Sequence, residues 1–386
     1  MQIQLDSLSR EIKNFAEVLS FNGLNLVSQE NIRQIEMFLQ QASQLQAFRL
    51  ATSLRYLHVE MDRFITHHPA FNIERYVFFL NNCWLFSNAF LAKSTQGTPK
   101  QIAHASELMG KPSEPVDIPG MKLRLIGIEK VYLEGAMFGI IFHFLSTNGE
   151  LKQNIVKLSL LQQPKGVVNP EVLLGMNIPN NDPPIPFFLL LKKDVVVKNI
   201  KLLEKEATIQ LAQAPPSIFS LSNLATSDVD PFPIEIFDQH DLSLKELYSR
   251  IHANEITPFD ASVLNAGYLY VKNPSLDGPR KEGDTQGYYQ TSATVFDVMH
   301  DRGYPLQIRL QVKQVNDKLI DNIALVAKKK PAVKGMFGRL TLERGKFVLY
   351  PLSCIDENRI WFPCLSMDMK LTNKDLLQNL YKQTKP

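Results

Sequence analysis

Lysine side chains concentrate in one short stretch near the C-terminal end of the sequence. Lys328, Lys329 and Lys330 are consecutive, and Lys334 follows four residues later. Ammonium groups at this density can neutralise phosphates and release the counterions condensed on a nucleic acid, so that binding depends strongly on salt. The alternative is a solvated loop whose lysines keep a sheet edge from pairing with other chains. Further basic residues that could share this surface are Arg309, Lys313, Arg339, Arg344 and Lys346.

The charge of the chain is distributed unevenly. Residues 300–386 contain 16 Lys and Arg against 8 Asp and Glu, a net charge of +8, whereas the whole chain carries +3. An acidic segment at 228–260 contains eight Asp and Glu against Lys245 and Arg250. Separated charge attracts anionic partners without specifying a fold. The acidic segment could equally meet the basic region of this chain or of another subunit, as a protein–protein scaffold would.

Two tyrosines could add stacking surfaces to a basic module. Tyr268 and Tyr270 lie on one side of a predicted strand, because side chains alternate with a period of two. Exposed aromatic rings on a strand can stack bases. The segment partly resembles the aromatic strand of RNA-recognition motifs, but it departs from that pattern at Ala266, Leu269 and Asn273. Packing of both rings in a core is the alternative, and the sequence favours it.

Candidate metal ligands occur at two places. Asp238, His240 and Asp241 are close in the sequence and would serve a metal-dependent hydrolase, the least favoured of the three functions considered. His58 and Asp62 share one face of a predicted helix, but a structural zinc site needs about four ligands. Helix capping by Asp241 and a polar helix face are the simpler interpretations. The sequence therefore predicts no metal and no cofactor.

Sequence motifs for catalysis are missing from this chain. It contains no phosphate-binding G-x-x-x-x-G-K-[ST] loop, no G-x-S-x-G elbow, no H-E-x-x-H and no C-x-x-C. We therefore expect a non-enzymatic binding or assembly subunit, in which the N-terminal helices dock a protein and the basic C-terminal module contacts nucleic acid. That basic site is predicted to contain Lys328, Lys329, Lys330, Lys334, Arg339, Arg344, Lys346, Tyr268 and Tyr270.

The expected compartment is the cytoplasm. Asp6 and Arg10 interrupt the apolar stretch that a secretory signal needs. The most apolar segment, 77–92, is broken by three asparagines and a serine, so no membrane span or membrane partner is predicted. The odd number and wide spacing of the cysteines predict no disulfide framework; they are Cys83, Cys354 and Cys364.

Apolar residues three and four apart predict helices through the first part of the chain. The pattern begins at Leu5 and ends before Gly23, and it resumes after Ser28, a favourable N-cap. Whether the following apolar positions form one long helix or two is left open by the sequence. Asn72 predicts the cap of a last helix that extends to about residue 91.

Beyond residue 120 the apolar period shortens to that of strands. Asn148-Gly149 between two apolar runs predicts a hairpin. Residues 277–287 lack large apolar side chains and predict a loop. Residues 335–338, Gly-Met-Phe-Gly, echo Ala-Met-Phe-Gly at 136–139, which indicates either a duplicated module or chance. Strands are predicted at 187–191, 195–200, 268–271, 306–312, 319–327, 337–342 and 347–352.

The predicted fold class is α+β multidomain, with an N-terminal all-helical bundle followed by two antiparallel β-rich modules, each a small barrel or a sandwich. The predicted segments are a helical domain at 1–95, a proline-rich linker at 96–120, a β-rich module at 121–216, an acidic segment with a short helix at 217–260, a basic β-rich module at 261–371 and a C-terminal helix at 372–386.

Overall fold

The chain divides into two compact units, Met1–Ser113 and Glu114–Pro386. The first unit is helical and the second is built from β-strands, which confirms a helical region followed by two β-rich modules. A computed structural model describes residues 2–69, 71–93, 109–110, 115–133, 137–147, 154–163, 169–191, 194–203, 207–222, 249, 267–283, 292–299, 305–311, 317–328, 332–343, 346–356 and 360–365.

Several predicted features lie outside these ranges. They are most of the acidic segment with its capped helix, the C-terminal helix at 372–386, the candidate metal ligands Asp238, His240 and Asp241, and the site residues Lys329, Lys330 and Arg344.

Four helices form the described residues from 2 to 93 of the first unit, and local capping sets their ends. Gly23 has a φ of 72°, which stops the first helix because this left-handed conformation suits glycine. The Ser28 side chain accepts a hydrogen bond from the Asn31 amide, and Asn72 Oδ1 accepts one from the Arg75 amide at 3.0 Å. The helices are α1 (Gln2–Asn22), α2 (Gln29–Gln44), α3 (Phe48–Ile65) and α4 (Ile73–Lys93).

The sequence left open whether one long helix or two follow Ser28, and the backbone at Gln46 shows that there are two. This residue has a φ of 58°, so the chain leaves the helical conformation and α2 and α3 are separate helices. The two helices pack on each other, α3 packs on α4, and α4 packs on α1. Phe15 of α1 meets Phe38 of α2 edge to face at 5.6 Å between ring centroids. None of the described helices is long and apolar enough to cross a membrane.

Five strands of the first β-module close into a barrel in the order β1-β2-β3-β5-β4, with β4 returning to pair with the first part of β1. Only the β3–β5 contact is parallel among the described pairings of this module. The strands are β1 (Val116–Leu133), β2 (Met137–Ser146), β3 (Ile155–Gln162), β4 (Asp194–Leu203), β5 (Thr208–Leu211) and β6 (Ile218–Ser222), which pairs with β4.

The second module is a mixed sheet in the order β7-β11-β12-β10-β9-β8, and its described residues include the helix α5 (Asp317–Ala327). Its strands are β7 (Tyr268–Lys272), β8 (Ser275–Gly283), β9 (Ser292–Met299), β10 (Leu306–Gln311), β11 (Gly335–Glu343), β12 (Lys346–Ile355) and β13 (Ile360–Trp361), which pairs with β12.

The two modules share one strand topology. In the first, the opening half of β1 pairs with β4 and its closing half with β2; in the second, β7 pairs with β11 and β8 with β9. Only Asn273 and Pro274 separate β7 from β8, so these two strands together correspond to β1. The parallel pair β3–β5 corresponds to β10–β12, and helical segments lie between β3 and β4 and between β10 and β11. The five-stranded order resembles that of the OB-fold barrel.

The repeated sequence Met-Phe-Gly does not occupy corresponding strands of the two modules. Residues 137–139 belong to β2, whereas 336–338 belong to β11, which corresponds to β4. The similarity of the modules therefore lies in strand order and pairing, since the echoed residues take different places in the two sheets.

Both sheets contribute to a single cluster of buried apolar side chains. The sheets approach closely at Gly127, where an added Cβ would lie 2.7 Å from the Leu352 Cβ and 3.3 Å from Phe337 Cε1. The register of β1 with β2 shifts at this point, and the extra residue, Ile126, accepts a 2.6 Å hydrogen bond from the Ser353 hydroxyl through its carbonyl. The bulge on β1 therefore lies at the contact between the two sheets, where it allows close backbone approach at Gly127 and a hydrogen bond at Ile126.

Local patterns misassigned four segments. Residues 319–327 are helical because Leu319, Ile323 and Val326, spaced four and three apart, turn toward the core, as they would not in the predicted strand. The predicted strand at Phe187–Leu191 is a 3-10 helix. The predicted loop at 277–287 is strand through Gly283, since β8 pairs with β9 although its own side chains are mostly exposed. Residues 116–120, predicted as linker, begin β1.

Candidate nucleic-acid interface and the polar cluster between the sheets

Two lysines of the predicted site, Lys334 and Lys346, lie at opposite ends of one hairpin. Lys334 directly precedes β11, whose nine residues lead to the turn before Lys346, the first residue of β12. Nine residues of strand span about 30 Å. The structure therefore divides the predicted basic surface into two separate places.

The first place is the end of the sheet at which β11 begins. Lys272 is the register partner of Gly335, and the Asn273 amide donates a 2.8 Å hydrogen bond to the Lys334 carbonyl. Lys272 and Lys334 are both exposed, as is Lys328 at the end of α5. Asp356, which follows β12, contributes a carboxylate at the same end. We call Lys272 and Lys334, together with Lys328 six residues before Lys334 in the sequence, the basic end; Lys272 is a member that sequence reasoning missed.

The second place, around Lys346, contains arginines that already have carboxylate partners. Arg309 lies 3.5 Å from Glu282 and 3.6 Å from Glu343. Arg280 forms an ion pair with Asp297 and also lies 3.5 Å from Glu282. The Arg280 hydrogen bond holds the pKa of the Asp297 carboxyl below its usual range. A phosphate at this end would compete with fixed carboxylates for each guanidinium.

Tyr268, Tyr270 and Arg339 lie on the side of the second sheet that faces the first module. The Tyr268 ring stacks on Phe337 with a centroid distance of 5.5 Å, and Tyr270 is 7 % exposed. These are the contacts of core aromatic residues, which the sequence favoured over base stacking. Arg339 is the register partner of Tyr268, lies over the Tyr350 ring and donates a 2.8 Å hydrogen bond to Glu129 Oε1.

A cluster of polar side chains joins the two sheets. His143 on β2 is 1 % exposed; its Nδ1 lies 2.9 Å from the Tyr268 hydroxyl and its Nε2 lies 3.6 Å from Glu129 Oε2. The second distance is too long for a hydrogen bond, and Nε2 has no hydrogen-bond partner among the described residues. Glu129 thus faces His143 with one oxygen and Arg339 with the other. We call Glu129, His143, Tyr268 and Arg339 the polar cluster.

Burial and charge set the protonation states of the polar cluster. Burial lowers the pKa of His143 and outweighs the neighbouring Glu129 carboxylate, so the imidazole is neutral near pH 7. Burial alone would raise the pKa of Glu129, but His143 and Arg339 hold it below its usual range. Burial also raises the pKa of Tyr268, which keeps the phenol protonated. The cluster therefore combines a carboxylate, a guanidinium and two neutral groups.

The polar cluster has acid–base groups, but its imidazole is enclosed. A general base must come within hydrogen-bond reach of a substrate proton, whereas His143 is covered by side chains of both sheets. The described contacts of the polar cluster connect β2 to β7 through His143 and Tyr268, and β1 to β11 through Glu129 and Arg339. Sequence reasoning missed Glu129 and His143, although a histidine between Phe142 and Phe144 in an apolar strand was a usable indication.

The helical candidate for metal binding forms an ordinary polar contact. His58 Nε2 lies 3.1 Å from Glu36 Oε1, which joins α3 to α2, and Asp62 is exposed. Within the described ranges, no group of three or more His, Cys, Asp and Glu side chains could hold a metal ion. Comparison with known proteins finds no matching family model and no matching curated protein.

Proposed function

We propose that the protein is a non-enzymatic binding and assembly subunit that contacts nucleic acid through the basic end of its second β-module and a protein subunit through its helical unit. The observation that carries the nucleic-acid part is the register of β7 with β11. It places Lys272, the partner of Gly335, at the same end of the sheet as Lys334. The run of lysines at 328–330 precedes Lys334 in the sequence. Lysines on a solvated edge can neutralise phosphates without leaving water.

The basic end is favoured over the end that contains Lys346 because positive charge exceeds negative charge there. Glu282, Asp297 and Glu343 already engage the arginines near Lys346. The basic end has Asp356 against three exposed lysines. Nearby in the sequence, Lys329 and Lys330 add two positive charges and Glu357 adds one negative charge.

The resemblance to OB-fold barrels does not by itself locate the site, because one fold carries many functions. Such barrels bind oligonucleotides on the face of their second and third strands. In the first module the outward residues His143 and Leu145 of β2 lie against the second sheet. Part of that face is therefore occupied within the protein, which is why we place nucleic acid at the basic end.

The test is binding of a fluorescein-labelled oligothymidylate of about 20 nucleotides, longer than the ~4–16 nucleotides that one small barrel covers. Fluorescence anisotropy of the full chain is measured from low to moderate salt. Replacing Lys272, Lys328 and Lys334 by glutamine removes three charges. We expect weaker binding and a slope of log K against log salt that is smaller by about 2, since each phosphate contact contributes about 0.7 on a single strand.

The matched control replaces three exposed lysines elsewhere in the β-unit by glutamine: Lys198, Lys281 and Lys346. It removes the same charge, so equal weakening in both variants would show non-specific attraction and contradict the assignment to the basic end. If only the control variant binds the oligonucleotide more weakly, the interface lies at the end of the sheet that contains Lys346. No salt-dependent binding by the unaltered protein would overturn the nucleic-acid proposal itself.

A cytoplasmic location is part of the same proposal. Cys83, Cys354 and Cys364 are buried as free thiols. Burial raises the pKa of Cys364 to about 12, so its thiol stays protonated and unreactive. Buried thiols of this kind suit a reducing compartment.

A further inference from the structure

The helical unit exposes large apolar side chains on two adjacent helices. Phe21 of α1 is 93 % exposed and Phe78 of α4 is 57 % exposed, and Val18, Val77 and Trp84 are also exposed. The inward apolar residues of both helices already form the core of the unit. These five outward side chains, which we call the apolar face, are therefore additional to what the bundle needs for its own folding.

The five residues are arranged as one surface. Val18 and Phe21 are three apart on α1, and Val77 and Trp84 are seven apart, two turns, on α4. The Trp84 indole donates a 2.9 Å hydrogen bond to Glu17, which lies one turn before Phe21 on the same side of α1. Three short connections reverse the chain between successive helices, so α4 runs antiparallel to α1. One turn beyond Glu17, Phe21 therefore lies beside the turn of α4 that contains Phe78.

The polar groups within the apolar face are self-complementary. Asn14 and Asn81 are exposed on the same sides of α1 and α4, and each amide offers both a donor and an acceptor. Glu17 is the charged residue beside Trp84, and Lys13 lies 3.7 Å from its carboxylate. Neighbouring charges of opposite sign do not select an acidic or a basic partner, whereas such a surface can pair with its own copy about a two-fold axis.

The exposed area matches the apolar centre of a dimer interface. Taking about 200 Å² for a fully exposed phenylalanine, the five side chains expose on the order of 500 Å². A standard interface buries about 800 Å² per partner, and homodimer interfaces are about 65 % apolar, so about 500 Å² is the apolar contribution expected from each copy.

We propose that the apolar face binds a second copy of this chain, so that α1 and α4 of two molecules form a four-helix contact about a two-fold axis. This proposal rests on the assembly role proposed above and names the protein partner as the chain itself. It makes no use of the basic end, so oligonucleotide binding and dimerisation can succeed or fail separately.

The test is the mass of the full chain in solution, measured by light scattering during size-exclusion chromatography and by sedimentation equilibrium over a range of protein concentrations. We expect a species of twice 43.9 kDa. Phe21→Glu and Phe78→Glu should each weaken dimerisation by on the order of 10³-fold, because each dimer contains the central aromatic residue twice.

The matched control is Met37→Glu, which introduces the same charge at a residue of α2 that is also 57 % exposed but lies outside the apolar face. It should leave the dimer intact, and circular dichroism should show unchanged helix content in all three variants. A monomer at the highest concentration would overturn the proposal. So would a dimer that survives both phenylalanine substitutions, or one that Met37→Glu disrupts equally.

Discussion

His143 is a buried titratable group with polar or charged neighbours on four other strands. Glu129 lies on β1, Lys157 on β3, Tyr268 on β7 and Arg339 on β11. Lys157 and Arg339 oppose a positive imidazole, and Glu129 favours it. Burial has the largest effect and lowers the pKa of His143, so folding favours the neutral ring. The attachment of the two sheets to each other should therefore depend on pH.

We predict that His143→Gln reduces the loss of stability at mildly acidic pH. The pKa of His143 is lower in the folded protein than its unfolded value of about 6.5. As pH falls below ~6.5, the unfolded chain binds a proton at His143 more readily than the folded protein does. The free energy of unfolding therefore decreases, by at most about 1.4 kcal/mol per pH unit, whereas above pH ~6.5 this contribution is fully retained. Urea unfolding of both proteins at pH 7.5 and pH 5.5 measures the difference.

Other carboxylates and histidines contribute to the pH dependence of both proteins, so only the difference between them reports on His143. His58→Gln is a suitable control, because His58 is a partly exposed histidine of the helical unit. An equal change of stability with pH in the unaltered protein and in His143→Gln would show that the buried ring does not govern the acid sensitivity.

At the scale of elements, the sheets are held in place by close backbone approach as much as by side chains. Gly127 lies where the bulge of β1 meets β11 and β12. The neighbouring atoms, the Leu352 Cβ and the edge of the Phe337 ring, belong to fully buried residues. They have little room to move in a close-packed interior.

We predict that Gly127→Ala destabilises the β-unit by about 1–3 kcal/mol, because the added methyl overpacks the contact between the sheets. Gly283→Ala is the control: it makes the same chemical change in β8, where no atom lies within 4 Å of the added Cβ. Chemical denaturation followed by tryptophan fluorescence gives both values. Similar free energies of unfolding for the two variants would mean that the sheets adjust freely at Gly127.

At the scale of the whole molecule, the helical unit has a core of its own. Its buried apolar cluster is drawn from residues within Met1–Ser113. The Glu60 carboxylate in the same unit is buried, and it accepts hydrogen bonds from the Arg63 and Arg75 side chains and from the Asn72 amide. A unit with its own core and its own buried ion pairs meets the usual requirements for independent folding.

We therefore predict that residues 1–113 fold alone, with a helical circular dichroism spectrum and one cooperative thermal transition. Leu57→Ala should lower the stability of this fragment by about 2–5 kcal/mol, because Leu57 is completely buried. Met37→Ala, at an exposed position of α2, should change it by less than about 0.5 kcal/mol. A fragment without cooperative unfolding would show that its core depends on the rest of the chain.

The sequence by itself determined the features that depend on neighbouring residues. Helix boundaries at Gly23, Ser28 and Asn72 follow from local capping and backbone preference, and the α+β order follows from apolar periodicity. The hairpin between β11 and β12 was also predictable, since both strands and their short turn are contiguous. The helical conformation of α5 was missed because a short apolar run fits a strand as well as a helix.

Only the tertiary structure decided which distant residues meet. Strand pairing placed Lys272 at the same end of the sheet as Lys334 and separated Lys334 from Lys346 by the length of β11. It also turned Arg339 and Tyr268 toward Glu129 and His143, more than a hundred residues away in the sequence. Charge counted along the chain cannot show these relationships, because strand order and the direction of each side chain are set by packing of the whole sheet.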